Sequence, residues 1–253
     1  MGRIISIASQ KGGVGKTTTA INLGACLAQE SRRVLLVDMD PQGNMSSGVG
    51  VTGDDQRNTS YEVLLGEVSP REAILPTALA SMDLMPTGQR LSGAEVELVA
   101  IPERESRLKS ALAAVRDEYD YILVDSPPSL GLLTVNSLNA SDSVIIPLQC
   151  EYLALEGLTQ IMKAITLIQA HLNPSLRIEG VLLTMYDGRV GLSKGVAEEA
   201  RKLFSNRVYK TMIPRNVRLS EAPSFGKPIV LYDPHCAGAE SYRELAREVL
   251  GHV

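Results

Sequence analysis

Tryptophan is absent from this sequence, phenylalanine occurs twice, and aromatic residues make up only 4% of the chain. The interior is therefore expected to be packed from Leu, Ile, Val, Ala and Met. Cysteine is also scarce. Cys26, Cys150 and Cys236 lie far apart with no Cys-x-x-Cys pair, which argues against a disulfide framework or a thiolate metal site and for reduced, buried thiols. No apolar run approaches the roughly 20 residues of a membrane-spanning helix. The opening Met1-Gly2-Arg3-Ile4-Ile5 lacks the layout of a secretory leader. A soluble, cytoplasmic protein is expected. With no internal repeat, low-complexity tract or linker, the 253 residues are read as a single domain, 1–253.

Net charge is −4, which by itself argues against a polyanionic partner. The charge is unevenly spread, however. Residues 1–176 hold 13 basic and 20 acidic side chains, whereas residues 177–253 hold 12 and 9. The second part is therefore locally cationic, which permits an anion-binding face on an acidic protein.

Short β-branched runs recur at 4–8, 34–38, 83–86, 121–125, 143–147, 178–184 and 209–213. Several, such as Val34-Leu35-Leu36-Val37 and Val144-Ile145-Ile146, are apolar throughout, as parallel strands covered on both faces should be. Helical periodicity fills 16–29, 104–116, 153–171 and 193–204 between them. This alternation predicts an α/β fold with a doubly wound, mostly parallel sheet and helices on both faces. The Gly-, Ser-, Thr- and Asp-rich stretch 43–60 is the longest irregular one and a candidate mobile loop.

The first strand runs into Lys11-Gly12-Gly13-Val14-Gly15-Lys16-Thr17-Thr18, and a helix opens on the lysine and the threonines. In a strand–loop–helix setting, glycines let successive backbone N–H groups turn toward a phosphate, and the helix N-terminus adds partial positive charge. Lys16 can neutralise β- and γ-phosphate oxygens, and the Thr17 hydroxyl is placed to ligate Mg²⁺. The strict Gly-x-x-x-x-Gly-Lys-[Ser/Thr] pattern fails at its first position, which is Gln10; a second lysine, Lys11, follows it. Asp125 ends an apolar strand, so its carboxylate should emerge beside the nucleotide and hold the metal.

Lys-Gly-Gly-Val-Gly-Lys-Thr-Thr with its early lysine resembles the deviant Walker A loop of the ParA/MinD class of P-loop ATPases. Three further stretches, Val37–Asn44, Asp125–Gly131 and Pro214–Pro223, narrow the resemblance to chromosomal ParA (Soj) partitioning proteins over nearly the whole chain. The resemblance implies a slow ATP hydrolase that uses ATP and Mg²⁺. It places Asp40 at the attacking water, Asp38 in or behind the metal's ligand shell, and Pro214 and Asn216 beside the adenine. It implies an ATP-dependent homodimer joined face to face. Lys11 then reaches the partner's phosphates, Gly12 must be small where two loops meet, and Glu151 could face that interface.

The same resemblance implies binding of double-stranded DNA without sequence preference, nucleoid association, and a ParB-type partner protein. Arg189 is the carried-over DNA contact, with Lys194 and Arg218 as further candidates and Arg201 and Lys202 nearby. No aromatics are interleaved with them, so phosphate contacts rather than base stacking are indicated. Two alternatives remain open: a MinD-like ATPase at a membrane, and a nucleotide-switched scaffold with negligible turnover. Against the first, Tyr242, Leu245, Ala246 and Val249 form an ordinary core-facing stripe. Because the phosphate loop begins at residue 11, no N-terminal helix-turn-helix domain is expected.

Overall fold

A computed structural model describes residues 1–51, 58–151 and 154–251. Its seven strands are β1 (Arg3–Ile7), β2 (Val34–Asp38), β3 (Leu75–Pro76), β4 (Met82–Met85), β5 (Tyr121–Asp125), β6 (Ser143–Gln149) and β7 (Arg177–Thr184). They form one sheet in the order β3-β4-β2-β5-β1-β6-β7. Every pairing is parallel except that of the two-residue edge strand β3 with β4.

The described helices are α1 (Lys16–Gln29), α2 (Asn44–Gly48), α3 (Ser60–Leu65), α4 (Pro70–Ala73), α5 (Leu91–Glu97) and α6 (Arg107–Ala113). They continue with α7 (Leu132–Ala140), α8 (Ala154–His171), α9 (Gly191–Phe204), α10 (Val217–Glu221), α11 (Ile229–Tyr232) and α12 (Ala237–Gly251).

Strand side chains alternate between two apolar layers, as a period of two requires. Ile5, Ile7, Val34, Leu36, Leu123, Ile145 and Leu182 face α1 and α12. On the opposite face, Ile4, Leu35, Val37, Ile122 and Val124 pack under α3, α5, α6 and α7. The remainder of that face, with Val144, Ile146, Val181 and Leu183, packs under α8 and α9. Both faces are covered, and the apolar runs of the sequence are explained by that. The α12 stripe Tyr242, Leu245, Ala246 and Val249 is buried in the first layer. Among the described residues no helix is long and apolar enough to cross a membrane.

Three expectations need correction. The segment 209–213 is not a strand of the sheet: it runs beside β7, and the bridges at its ends, Val208 with Val181 and Pro214 with Tyr186 just past β7, are isolated ones. Tyr209 N donates to Val181 O and Ile213 N to Leu183 O, so a strap of extended chain shields the β7 edge. Gly180 makes room for it, since a Cβ there would lie 2.5 Å from the Tyr209 ring. The helix expected over 104–116 is α6 alone, with 3-10 turns at Arg104–Ser106 and Arg116–Glu118. Of the loop expected over 43–60, residues 44–48 form α2, and residues 52–57 lie outside the described residues.

Candidate active site

The parallel register brings the ends of β1, β2 and β5 together. Asp38 pairs with Asp125 across β2 and β5, and Ile7 pairs with Asp125 across β1 and β5. The phosphate loop leaves β1 at that edge and enters α1. Gly13 and Gly15 adopt φ of 73° and 90°, a left-handed geometry that favours glycine. Behind the loop, Thr184 at the end of β7 donates its hydroxyl to Val14 O at 2.8 Å. The Val14 side chain is buried beneath the loop.

Above this edge lies a cleft of about 670 Å³. Gly12, Gly13, Gly15, Lys16, Thr17 and Thr18 line one end, Asp40 and Gln42 its flank, and Pro214, Asn216 and Met185 the far end. A cavity of this size suits a nucleotide. Lys16 is 6% exposed, and Nζ donates to Lys11 O at 3.2 Å. Burial lowers its pKa while the carboxylates of Asp125 and Asp40 oppose that shift.

The buried carboxylates of Asp125 and Asp40 act on this ammonium, and buried Asp38 acts on Asp125 in turn. Thr17 Oγ1 donates to Asp125 Oδ2 at 2.6 Å, while Asp125 Oδ1 is buried without a hydrogen-bond partner. Burial first, and the Asp38 carboxylate second, push the Asp125 pKa well up. Asp38 Oδ2 accepts from Ser46 N at 2.9 Å and Ser46 Oγ at 2.7 Å, and Asp38 Oδ1 from Asp40 N at 3.2 Å. Asp40 Oδ1 accepts from Gln42 N at 3.0 Å.

The orphaned Asp125 oxygen beside a threonine hydroxyl, in a cluster with more carboxylates than cations, fits a hard divalent cation. Among the described residues no three acidic, His or Cys side chains form a metal cage by themselves. A magnesium ion here would therefore take most of its ligands from phosphate and water, as that ion usually does.

Farther along the cleft, Asn216 caps α10 by accepting from Leu219 N at 3.3 Å, and its Nδ2 has no partner among the described residues. Lys11 does not line the cleft. Its ammonium lies 3.8 Å from Glu151, which also holds Arg215 at 3.2 Å. A Cβ on Gly12 would meet nothing within 4 Å. Of the DNA candidates, Arg189 lies on the exposed turn past β7, Lys194 near the start of α9 and Arg218 in α10. Arg189 makes a fork with Asp187 at 3.0 and 2.7 Å, its side chain 91% exposed. Arg218 is tied to Glu221 and Asp233, and Lys194 has no ion-pair partner among the described residues.

A family model described as an AAA domain matches residues 2–178. Over 249 residues, 98% of each chain, the sequence is 58% identical to the sporulation initiation inhibitor protein Soj of Bacillus subtilis. This chain belongs to the Soj/ParA family. It is also 56% identical to the chromosome partitioning protein ParA of Myxococcus xanthus, covering 99% of this chain and 88% of that one. Among solved structures, cobyrinic acid a,c-diamide synthase from Mycobacterium smegmatis with bound ADP and magnesium is 40% identical. It superposes with a TM-score of 0.88 over 100% of this chain and 95% of that one. Family and fold are thus those implied by the motifs.

Some residues of the site were not singled out in the sequence. Thr184, the support of the phosphate loop, is one more apolar-strand terminus until the strand order is known. Ser46, the anchor of Asp38, lies in a stretch read as irregular. Met185, a cleft residue at φ 50° in the left-handed region, carries no sequence signal.

Burial pushes the Asp38 carboxyl up to about 6 from 3.8, against the Ser46 hydrogen bonds that favour the anion. A carboxyl raised in the fold stabilises it fully only below the unfolded pKa and loses that contribution as pH rises through the folded one. In the nucleotide-free, metal-free protein, the stability of Asp38→Asn relative to the parent should therefore improve between about pH 4 and 6.5 and then level off. The change should reach at most about 3 kcal/mol. Urea unfolding across pH measures it; a difference that does not vary with pH would contradict the assignment.

Proposed function

We propose that this protein is a slow, nucleotide-switched ATPase of chromosome partitioning. ATP and Mg²⁺ bind in the cleft, two copies then join face to face, the dimer holds duplex DNA without regard to sequence, and a ParB-type partner stimulates hydrolysis. The observation that carries the reading is the buried excess of carboxylate around Lys16 at the mouth of a phosphate loop, in a chain of the Soj/ParA family. Nucleoid association in the cytoplasm follows from the DNA step.

The chain's own groups divide the work. Backbone N–H groups of Gly12–Lys16 and the Lys16 ammonium hold the phosphates, a charge-assisted arrangement and the strongest kind available here. Thr17 and Asp125 hold the metal, with Asp38 behind them. When bound, the metal neutralises charge on the β- and γ-phosphate oxygens. Asp40 lines the cleft and can orient a water toward the γ-phosphate and accept its proton, positioning mattering more than basicity. The free Nδ2 of Asn216 can donate to the adenine edge, and Pro214 packs nearby.

Lys11 is directed to Glu151 rather than into its own cleft, which is consistent with service to a partner's phosphates. Its ammonium would supply the charge an arginine finger supplies elsewhere. Gly12 has free space around it among the described residues, which supply no intramolecular reason for its lack of a side chain. A membrane reading finds little support, because the apolar stripe of α12 is spent on the core.

Two variants separate binding from chemistry. Asp40→Ala should retain ATP and magnesium but hydrolyse little, so that size-exclusion with ATP shows a persistent dimer; an ATP-loaded monomer would contradict the scheme. Gly12→Val should fold and bind ATP yet remain monomeric.

For DNA, the contacts of one subunit are few, and a dimer presents two sets to one duplex. Binding should require ATP and fall with salt at a log–log slope of about −0.9 per phosphate neutralised. Arg189→Ala should weaken binding about equally on unrelated sequences and flatten the slope, with dimerisation intact. Filter binding over a salt series decides this; equal affinity of parent and variant at every salt would remove Arg189 from the contact set.

A further inference from the structure

The described residues hold a second cavity, of about 410 Å³, at the opposite edge of the sheet, where β1, β6 and β7 begin. β7 connects the two ends. Thr184 touches the phosphate loop, and Arg177, seven residues earlier, lines the second cavity, about 23 Å away along an extended strand. Ligands of open α/β sheets collect outside the carboxyl ends of the strands, so nothing in the nucleotide chemistry calls for a cavity here.

Its charge is out of balance. Both acids on its wall are already compensated within the chain. Glu179 is paired with Arg3, and Asp142 accepts from Arg116 at 2.6 Å and from Ile4 N at 2.8 Å. Arg177 and Arg207, also on the wall, are exposed and form no ion pair among the described residues. Neutral donors accompany them. Ser143 is 3% exposed with a hydroxyl that finds no partner among the described residues, and Asn206 lines the rim. Asn206 and Arg207 are presented by a turn whose first residue, Ser205, is held at φ 50°, in the left-handed region. Such strain persists where the surrounding structure enforces it and gathers at functional sites.

We infer that this cavity is a second anion site that binds a small phosphorylated molecule, with Arg177 and Arg207 as its phosphate ligands. Guanidinium forks match phosphate oxygens in a bidentate way that a lysine ammonium does not. The volume lies in the range of small-molecule sites. A concave pocket suits a compact anion better than the convex backbone of a duplex, and the ion pairs of its two carboxylates limit their repulsion of the ligand. The basic surplus of residues 177–253 is accordingly divided between two edges of the molecule, and only part of it serves the Arg189 side.

The test uses the full chain saturated with ADP and magnesium, so that the nucleotide cleft is already filled. Pyrophosphate is then titrated while backbone amide resonances are followed. Saturable shifts are expected in 142–143, 177–179 and 205–208. The double variant Arg177→Gln/Arg207→Gln should weaken that binding by about tenfold or more, with ADP affinity unchanged as the control for folding. Shifts confined to the phosphate loop, shifts that do not saturate, or the same affinity in the double variant would overturn the site. A short DNA duplex forms the second arm. If it shifts these amides and pyrophosphate does not, the edge is a nucleic-acid surface and the inference fails.

Discussion

Two aspartates at the ends of neighbouring parallel strands share a register position, and both are fully buried. The parallel arrangement places them there: once β2 and β5 lie side by side in register, Asp38 and Asp125 emerge together, beside the loop that leaves β1. With Asp40 they make a cluster of three buried carboxyl groups, two of which, Asp125 and Asp40, act on the buried ammonium of Lys16. Desolvation at this depth opposes ionisation, so the carboxyl pKa values of Asp38 and Asp125 are raised. The chain's own residues thus leave the cleft with more carboxylate than cation. A cation arriving with a nucleotide relieves the excess of carboxylate and partners the orphaned Asp125 oxygen, and this links ligand binding to the stability of the fold.

The same cluster ties loops to the sheet. Ser46 donates twice to Asp38 and accepts from Thr87 N at 3.1 Å, so α2 and the chain after β4 are fastened to the end of β2. Asp40 lies between these anchors, two residues from Asp38. On the other side, Thr184 supports Val14, and Tyr186 N donates to Ile213 O at 3.0 Å, joining the end of β7 to the strap that carries Pro214 and Asn216. The turn bearing Asp187 and Arg189 follows immediately. The phosphate loop, the strap with Pro214 and Asn216, and the exposed arginine therefore hang from one strand end, a short physical route between the cleft and the candidate DNA face.

Much of this could be read in the sequence, for physical reasons that differ by element. The strands β2 and β5 match their expected bounds because apolar runs ending in aspartate are unambiguous, and α1 because the phosphate loop marks its start. The segment 209–213 misled because a strap packed on a sheet edge needs the same β-branched, half-buried residues as a strand. Residues 104–116 carry helical periodicity but taper into 3-10 turns at both ends. The site was legible where a residue's chemistry is carried by a local motif, as with Lys16, Thr17 and Asp125. It was not legible where a residue acts through tertiary placement: Thr184, Ser46 and the Arg177–Arg207 pair acquire their surroundings only when β7 takes its place in the sheet.

The claim that the buried carboxylates receive a cation with the nucleotide is tested most directly by counting protons. Binding of preformed magnesium–ADP at pH 6.5, followed by calorimetry in buffers of different ionisation enthalpy, should release protons from the parent. The carboxyls whose pKa values burial has raised would ionise as the metal enters. In Asp125→Asn the release should be smaller. Equal proton release from parent and variant, or none from the parent, would contradict the account.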